Sequence, residues 1–397
     1  MRSTARNQRY DAIVVGARVA GAATGMLLAR AGLKVLILDR APIGSDTVST
    51  HALMRGGVLQ LHRWGLLDEL VAAGTPPVRR TIFTIGDERT PITIKPSYGV
   101  EALYAPRRTV LDPLLSRAAA AAGADVRHGV TVTGLVRDEA GRVHGVRATD
   151  ESGRQLSARA RITIGADGRA SNVARWVGAP AIRRGASAGA AAYAYWPSSE
   201  WEGYEWFYRP GVSAGAIPTN DGQTCVFVGT TRERFRRQLV TDDPFSGYLD
   251  LLGDAAPELL ERFAHGPAPT HLVRFPGAAG HVRRTWGAGW ALVGDAGYFK
   301  DPISAHGITD ALRDADLLAR AVTRAAAGAD EATSLAEYAA TRDRLSGELF
   351  TISDAIGSYA WDLDQVRTLL LQLSSAMAAE VEVLAGLDDA TTLAAAS

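Results

Sequence analysis

The chain has 397 residues, more than one hydrophobic core usually serves, so we expect two structural regions and room to enclose a cofactor. Its 43 basic and 43 acidic residues give a formal charge of zero, which argues against nucleic acid or an anionic membrane surface as the main partner. The single cysteine, Cys225, excludes an intrachain disulfide, and its apolar neighbours favour a core role over a nucleophilic one. We find no signal-peptide pattern and no apolar stretch of about twenty residues, and therefore expect a cytoplasmic protein without a membrane span.

The first predicted element is a βαβ unit. Residues 12–15 and 34–38 are short apolar runs typical of buried parallel strands. Residues 22–31 between them are small and apolar and predict a helix that stops at Gly32. The unit points to a nucleotide-binding fold.

The turn of this unit carries a dinucleotide fingerprint. Gly16 and Gly21 lead into the helix, whose N-terminal N–H groups and dipole favour a pyrophosphate, and Asp39 after the second strand suits an adenosine ribose. We therefore predict an ADP-containing cofactor. Arg18 stands where the fingerprint has its middle glycine, so the side chain either swings aside at negative φ or contacts a phosphate. The other interpretation is a βαβ unit that has lost its ligand.

A polar loop follows, and its last residue, His51, precedes a helix predicted at residues 52–64. Gly56 and Gly57 lie inside that helix, where glycine is unfavourable unless something approaches closely; a cofactor is a reasonable cause. Further on, a strand ends in the pair Asp167-Gly168 before a helix, the layout of a second dinucleotide-facing loop.

The region from 183 to 284 predicts a largely antiparallel sheet inserted into the nucleotide domain. Tyr193 and Tyr195 share one face of a strand, and Trp206 and Tyr208 share a face of another. A single ring at such a position is more often part of a sheet core, whereas the rings together also suit the wall of a pocket for a flat ligand.

The buried-strand pattern returns at residues 290–296 and leads through a loop to a helix ending near Ala325, which makes a second anion-ready helix start. Two more helices are predicted, one beginning at a capping box of Ser334 and Glu337 and one after Asp362. We expect these two to pack on the main body or on another subunit rather than to carry chemistry.

The chain carries three separated signatures: the fingerprint of residues 16–39, the Asp167-Gly168 loop, and Gly294-Asp295 followed by Pro302 and Gly307. As a set they resemble those of the single-component flavoprotein aromatic hydroxylases, the para-hydroxybenzoate hydroxylase-like family. The resemblance implies an α/β fold: a Rossmann-like FAD-binding domain with an inserted, mainly antiparallel substrate sheet and C-terminal helices. The implied ranges are 9–80, 100–182 and 285–330 for the FAD-binding domain, 81–99 and 183–284 for the substrate domain, and 331–397 for the helices.

The resemblance also implies roles for individual residues. Asp39 and Arg40 would hold the adenosine ribose side, Asp295 would bind the ribityl hydroxyls, and the Asp167-Gly168 loop looks like the segment associated with both FAD and NAD(P)H. The full set implied to bind the cofactor is Gly16, Ala17, Arg18, Ala20, Gly21, Asp39, Arg40, Arg55, Arg108, Val132, Asp167, Gly168, Gly294, Asp295, Pro302, Gly307 and Ile308. Tyr193, Tyr195, Trp206 and Tyr208 are the candidate substrate residues.

The chain departs from the family pattern at several positions. Arg18 replaces a glycine, Ala305 stands where the family commonly has a second glycine, and Gly297-Tyr298 replaces a usual histidine. The variant also looks like the geranylgeranyl-reductase relatives, which share the fold but saturate double bonds.

The leading interpretation is a monooxygenase that uses NAD(P)H as transient reductant, FAD and dioxygen to oxygenate a small aromatic substrate through a flavin hydroperoxide. His51 is a candidate proton relay, with a backbone-bonded loop histidine as its alternative. Lys300 is a candidate cation beside reduced flavin or an anionic substrate, with a solvent-facing lysine as its alternative. The sequence leaves the oligomeric state open.

Three other functions compete with this interpretation. The first is an FAD-dependent reductase that saturates carbon–carbon double bonds of an isoprenoid-like substrate. The second is a flavin halogenase, which the absence of a Trp-x-Trp-x-Ile-Pro segment disfavours. The third is a non-catalytic flavin sensor.

Overall fold

The computed structural model describes residues 9–197, 201–264, 269 and 271–387. The strands are β1 (Arg9–Val15), β2 (Val35–Leu38), β3 (Arg80–Ile85), β4 (Glu88–Thr93), β5 (Asp125–Arg127), β6 (Val130–Arg137), β7 (Val143–Asp150), β8 (Gln155–Gly165), β9 (Ala181–Arg184), β10 (Ala190–Pro197), β11 (Tyr204–Arg209), β12 (Val212–Pro218), β13 (Gln223–Thr230), β14 (Val273–Phe275), β15 (His281–Arg283), β16 (Trp286–Gly287), β17 (Trp290–Leu292) and β18 (Tyr298–Phe299). The helices are α1 (Val19–Arg30), α2 (Arg55–Arg63), α3 (Leu67–Ala72), α4 (Arg108–Ala121), α5 (Asn172–Trp176), α6 (Arg232–Leu239), α7 (Pro244–Ala255), α8 (Pro257–Ala264), α9 (Gly307–Ala326), α10 (Glu331–Gly357) and α11 (Leu363–Ala385), with 3₁₀ turns at Gly294–Ala296 and Pro302–Ser304.

The first sheet is built around β1, which runs parallel to β2 on one side and to β8 on the other. β5 continues the sheet beyond β2 and β17 continues it beyond β8, both in parallel register. Val15 is the partner of Leu38 and of Gly165, so the carboxyl ends of three strands meet at one edge. The loops that begin there carry the predicted cofactor residues, as expected for an open parallel sheet.

Helices α1, α4 and α9 cover one face of this sheet. The small residues of α1 permit close packing: a Cβ on Gly25 would lie 2.4 Å from Cδ1 of Ile37. The other face packs against the antiparallel pair β6–β7 and against α5. The core therefore lies on both sides of the nucleotide-binding strands.

The second sheet has the order β14-β10-β13-β12-β11-β3-β4, and each pairing is antiparallel except the parallel pair β11–β3. One face packs against α6, α7 and α8. The opposite face carries most of the predicted aromatic residues and packs against α10 and α11. The α/β fold with a mainly antiparallel second sheet and C-terminal helices confirms the predicted fold class. The predicted residue ranges of the domains remain a proposal, and residues 388–397 lie outside the described chain.

Local predictions met different outcomes. The start of α11 was predicted correctly, because Asp362 and Gln365 form a reciprocal capping box. The predicted start of α10 at Ser334 is wrong: Asp330 accepts from the Thr333 backbone N–H, so the helix begins at Glu331 and Ser334 is buried within it. Strands β5 and β6 are separated at Gly129, whose φ of 70° interrupts the extended backbone.

Helix α11 is the one candidate membrane span among the described residues, by length and composition. About a third of its most apolar 18 residues is buried inside the protein. One such helix is weak evidence, because the core helices of soluble proteins pass the same test. Here its buried side packs on α10, α2 and β11.

Candidate active site

The turn between β1 and α1 is a tight backbone cradle. Gly16 has a φ of +108°, and a Cβ on it would lie 2.4 Å from the Ala166 carbonyl oxygen. A Cβ on Gly21 would lie 1.9 Å from the Gly16 carbonyl oxygen. Both positions therefore require glycine, and their contacts hold the N-terminus of α1 against the ends of β1 and β8.

Asp39 closes this cradle from the end of β2. Its carboxylate accepts from the backbone N–H of Ala17 at 2.6 Å and from that of Ala41 at 2.8 Å. Arg40 is exposed beside it. The pocket in front of the cradle is lined by Ala17, Arg18, Asp39, Ala41, Pro42, Ile43, Gly44, Ser45, Asp112 and His128.

Arg18 keeps a negative φ of −82° and extends its guanidinium along this pocket. One Nη lies 3.3 Å from Ser45 Oγ and from the Asp46 carbonyl oxygen, and the other lies 3.6 Å from the Asp112 carboxylate. Arg108 donates to both oxygens of Asp112, at 2.8 and 2.9 Å. Burial raises the pKa of Asp112, although Arg108 and Arg18 oppose the shift. Two guanidinium groups thus share one buried carboxylate at the wall of the pocket.

The loops from β8 and β17 reach the same edge of the sheet. Asp167 accepts from the backbone N–H groups of Asn172 and Val173, so its carboxylate satisfies donors at the N-terminus of α5. A Cβ on Gly294 would lie 2.8 Å from the Cβ of Ala20, which places the 294–296 turn directly against α1. Asp295 is partly exposed, and burial raises its pKa to about 6 against the opposing effect of Lys300.

The turn before α9 also has a defined geometry. Asp301 caps the Pro302–Ser304 turn by accepting from the Ile303 N–H at 3.0 Å. Ala305 follows in the left-handed region with a φ of 49°, the conformation that favours the glycine common at this family position. Around Gly307 a Cβ would meet nothing within 4 Å, so there is open space at the N-terminus of α9.

Arg55 does not line the pocket in front of Asp39. Its guanidinium donates to Ser97 Oγ at 2.8 Å, to the Lys95 carbonyl at 2.7 Å and to the Val100 carbonyl at 3.3 Å, and so ties α2 to the 95–100 segment. The glycines after it are explained by protein packing rather than by the cofactor we expected. A Cβ on Gly57 would lie 2.3 Å from Leu53 and 2.9 Å from Thr309 Oγ1.

His51 is buried where the loop after β2 meets the second sheet. Its φ of 68° is left-handed, its Nε2 is hydrogen-bonded to the Tyr195 hydroxyl, and the two rings stack at 5.7 Å. Burial, with Arg107 and Arg108 nearby, lowers the pKa of His51 well below its ordinary value. Nδ1 is also buried and has no hydrogen-bond partner among the described residues. His51 is therefore a neutral imidazole with one unused nitrogen.

The four aromatic candidates fall into two groups. Tyr193 accepts from the Ser49 N–H at 3.0 Å, and Tyr195 contacts His51, so both face the loop that leads from the cofactor pocket. Trp206 donates to Thr81 at 2.8 Å, and Tyr208 packs edge-on against Trp361. The second pair is thus packed inside the core between the second sheet and the C-terminal helices.

Lys300 is buried and does not face water, so its solvent-facing interpretation is wrong. Its ammonium group is paired with the Asp310 carboxylate. Burial and, to a smaller extent, Arg313 lower the pKa of Lys300 to about 7, against the opposing effects of Glu380 and Asp295.

The sequence comparison decides the family. A family model described as an FAD-binding domain matches residues 9–352. The chain belongs to this FAD-binding domain family. It is 31% identical over 315 residues to a digeranylgeranylglycerophospholipid reductase of Methanopyrus kandleri, covering 76% of this chain and 77% of that one. It is also 25% identical over 349 residues to conditioned medium factor receptor 1 of Dictyostelium discoideum, a match that takes in 80% of this chain but spans only 64% of the receptor.

Solved structures agree on the fold. The flavin-dependent brominase Bmp2 has a TM-score of 0.79 at 19% identity, covering 98% of both chains. PqsL of Pseudomonas aeruginosa, in complex with 2-aminobenzoylacetate, has a TM-score of 0.80 at 21% identity, covering 91% of this chain and 100% of PqsL. The protein is an FAD-dependent oxidoreductase.

The residues present fit FAD. The glycine cradle leaves room for a pyrophosphate at the start of α1, and the Arg18 Nη1 is buried there without a hydrogen-bond partner among the described residues. At the other end, open space adjoins Gly307, and the Ser304 hydroxyl is buried without a described partner. Val132 and Ile308 are buried at strand β6 and at the first turn of α9. The role of each residue toward FAD remains a prediction.

Sequence reasoning missed two residues that the structure places in the site. Arg107 lies 3.8 Å from the Tyr195 ring centroid and contacts Asp46 at 3.2 Å and Gln223 at 2.8 Å. Asp112 joins Arg18 to Arg108. The adjacent pair Arg107-Arg108 and the i,i+4 spacing of Arg108 and Asp112 were the available signals.

Proposed function

We propose that this FAD-dependent oxidoreductase is a monooxygenase that uses NAD(P)H and dioxygen to oxygenate a small aromatic substrate bearing a polar group. The proposal includes a substrate site between the loop ending at His51 and strand β10. It also includes the domain ranges given above, the cofactor-binding residues, NAD(P)H as a transient reductant, and activity in the cytoplasm.

The observation that carries the proposal is the contact set of His51, Tyr195 and Arg107. A neutral imidazole, a phenol and a guanidinium are held together beside the segment that also contacts Arg18 in the cofactor pocket. Burial raises the pKa of Tyr195 far above its ordinary value, so the hydroxyl stays protonated and donates to or shares a proton with His51 Nε2. Such a set suits an aromatic substrate with a phenol, amine or carboxylate.

The division of work follows from the chemistry of each group. When bound, FAD supplies hydride acceptance and the activation of dioxygen. With Nε2 accepting from the Tyr195 hydroxyl, the neutral His51 carries its own proton on Nδ1; it would give that proton to the substrate while Tyr195 supplies the replacing proton at Nε2. Arg107 would orient a substrate anion, because a guanidinium presents several donors in a fixed plane. Tyr193 holds the loop that carries His51 by accepting from Ser49.

Isotope incorporation tests the proposal. The FAD-loaded enzyme is incubated with NADPH or NADH, ¹⁸O₂ and a panel of aminobenzoyl and hydroxybenzoyl compounds, beginning with 2-aminobenzoylacetate because it is the molecule bound by PqsL. We expect substrate-stimulated NAD(P)H oxidation with dioxygen consumption and one ¹⁸O atom in the product. Substrate-stimulated NAD(P)H oxidation that proceeds without dioxygen would contradict oxygenation. A bound flavin that NAD(P)H does not reduce would favour a sensor.

A reductase is the second candidate, since the relatives in Methanopyrus kandleri and other archaea are described as digeranylgeranylglycerophospholipid reductases. The same preparation is therefore given a detergent-dispersed geranylgeranyl lipid under anaerobic, reducing conditions. Saturation adds two hydrogens for each double bond, whereas oxygenation adds one oxygen atom. Mass spectrometry of the two incubations separates the two reactions.

A further inference from the structure

A buried group of charged residues lies directly behind the turn that leads into α9. Three carboxylate side chains and three basic side chains form this charged cluster, and each residue is less than a tenth exposed. The members come from the loop after β18, from α9 and from α11: Lys300, His306, Asp310, Arg313, Asp314 and Glu380.

The contacts within the charged cluster cross from α9 to α11. Arg313 donates to Asp310 at 2.8 Å and to Glu380 at 2.6 Å, and also donates to Asp314. His306, which precedes the first residue of α9, places Nδ1 3.1 Å from an Asp310 oxygen and Nε2 3.0 Å from a Glu380 oxygen. Glu380 therefore joins the C-terminal helix to the start of α9.

The geometry around His306 indicates its charge state. A neutral imidazole has one N–H, so one of its two nitrogens would present a lone pair to a carboxylate oxygen. The imidazolium has an N–H on each nitrogen: Nδ1 is hydrogen-bonded to Asp310, and a charged Nε2–H faces Glu380 Oε2 at ion-pair distance, an oxygen that has no aligned hydrogen-bond donor among the described residues. Burial lowers the pKa of His306, and the Glu380 carboxylate opposes that effect. The pKa of Glu380 is lowered to about 2 by His306 and Arg313 against the opposing effect of burial.

The charge balance supports the protonated form. With His306 protonated, the positive charges of Lys300, His306 and Arg313 equal the negative charges of Asp310, Asp314 and Glu380. An unbalanced buried charge is costly, so the neutral combination is favoured. Tyr298 and Asp295 also face the charged cluster, from β18 and from the turn after β17.

The same atoms of His306, Asp310 and Glu380 lie within 4.8 Å of one another, a spacing that a metal ion accepts. However, Lys300 and Arg313 already contact these carboxylates, and a divalent cation would add charge to a balanced group. The geometry favours an internal ion network over a metal centre.

We propose that Glu380 is a positioning residue of the flavin site: through a protonated His306 it holds the N-terminus of α9 in place and balances the charge of the six-residue charged cluster behind the flavin. This inference rests on the FAD dependence in the proposed function and not on the choice between oxygenation and reduction. It assigns to α11 a role that its sequence did not suggest.

Variants that each remove one charge of the Glu380–His306 pair test the inference through the reduction potential of the flavin. Flavin-loaded wild type, Glu380→Gln, His306→Gln and the double variant are photoreduced with a reference dye at pH 6, without NAD(P)H, substrate or dioxygen. Two-electron reduction of FAD with uptake of one proton adds one negative charge to the flavin, so the ratio of reduced to oxidised flavin reports the nearby charge. We expect this ratio to rise on the order of tenfold in Glu380→Gln and to fall by a similar factor in His306→Gln, since a buried unit charge acts at this scale. The double variant should return to the wild-type ratio.

Other outcomes overturn the inference. Shifts in the same direction in both single variants would mean that the charged cluster only supports packing, and unchanged ratios would mean that it does not act on the flavin. Stoichiometric divalent metal in the wild type that is lost in Glu380→Gln would establish a metal centre instead. If Glu380→Gln fails to fold, Lys300→Met removes one positive charge from the same cluster and should lower the ratio as His306→Gln does.

Discussion

Arg18 offers the sharpest test of how this chain binds its cofactor, because the fingerprint predicts glycine there. Restoring the fingerprint with Arg18→Gly should weaken FAD binding rather than improve it. The backbone gains nothing from glycine, since the φ of Arg18 is already −82°. The substitution removes a guanidinium whose Nη1 is buried without a hydrogen-bond partner among the described residues.

The magnitude follows from the contact that is lost. A hydrogen bond to a charged group contributes about 1.5–3 kcal/mol. The Arg18 side chain is 34% exposed, so solvent screening favours the lower end, about 1.5 kcal/mol. The dissociation constant for FAD should therefore rise roughly tenfold. The loss should shrink as salt is added, because the contact is electrostatic.

Apoenzyme titrations measure this effect by the change in FAD fluorescence. Arg18→Lys keeps the charge and should retain part of the affinity, and Arg117→Ala, which removes an exposed arginine on α4, serves as the control. ADP and adenosine are titrated as well, and only ADP should lose affinity in Arg18→Gly. Equal losses for both probes, or FAD binding as tight as in the wild type, would refute the pyrophosphate contact.

Three further predictions concern other parts of the site. Gly21→Ala should abolish FAD binding, because its Cβ would lie 1.9 Å from the Gly16 carbonyl oxygen; retained yellow colour after gel filtration would contradict this. His51→Gln and Tyr195→Phe should each lower turnover about a hundredfold while leaving the FAD affinity unchanged, and equal rates in stopped-flow assays would exclude the proton relay. Burial raises the pKa of Asp301 to about 7, whereas in the unfolded chain it is about 4. The protonated carboxyl group therefore adds to the free energy of unfolding at low pH, and this contribution is lost as pH rises from about 4 to about 7. The melting temperature of Asp301→Asn relative to wild type should therefore increase across that interval, and a constant difference would show that Asp301 does not titrate there.

Elements whose signals are local could be predicted from the sequence. The β1–α1–β2 unit combines two buried strands, a small-residue helix and glycines that the backbone requires, all within 30 residues of one another. The N-cap of α10 was predicted four residues too late because Asp330 and Ser334 are both good N-caps, and only the fold selects between them.

Contacts between distant segments could not be predicted. The glycines of α2 suggested a nearby cofactor, but Thr309 and Glu380 occupy the space beside them, from helices more than 250 residues later. The sequence places Lys300 in the loop before α9, but its burial depends on Asp310 and on the helices around it. Sequence periodicity indicates which face of a helix is buried but not which residues meet that face.

The contacts of Arg18 connect the predicted cofactor pocket with the proposed substrate site. Arg18 donates to Ser45 and to the carbonyl of Asp46, and the Asp46 carboxylate is paired with Arg107. Arg107 stacks on the ring of Tyr195, which is hydrogen-bonded to His51. A phosphate that attracts Arg18 therefore acts on the loop that presents His51. Because such coupling is reciprocal in free energy, a substrate whose binding is strengthened by the phosphate through these contacts would strengthen phosphate binding by the same factor. The arginine that replaces a fingerprint glycine thus links the pocket at the start of α1 to the proposed substrate site through side-chain contacts, which a glycine cannot provide.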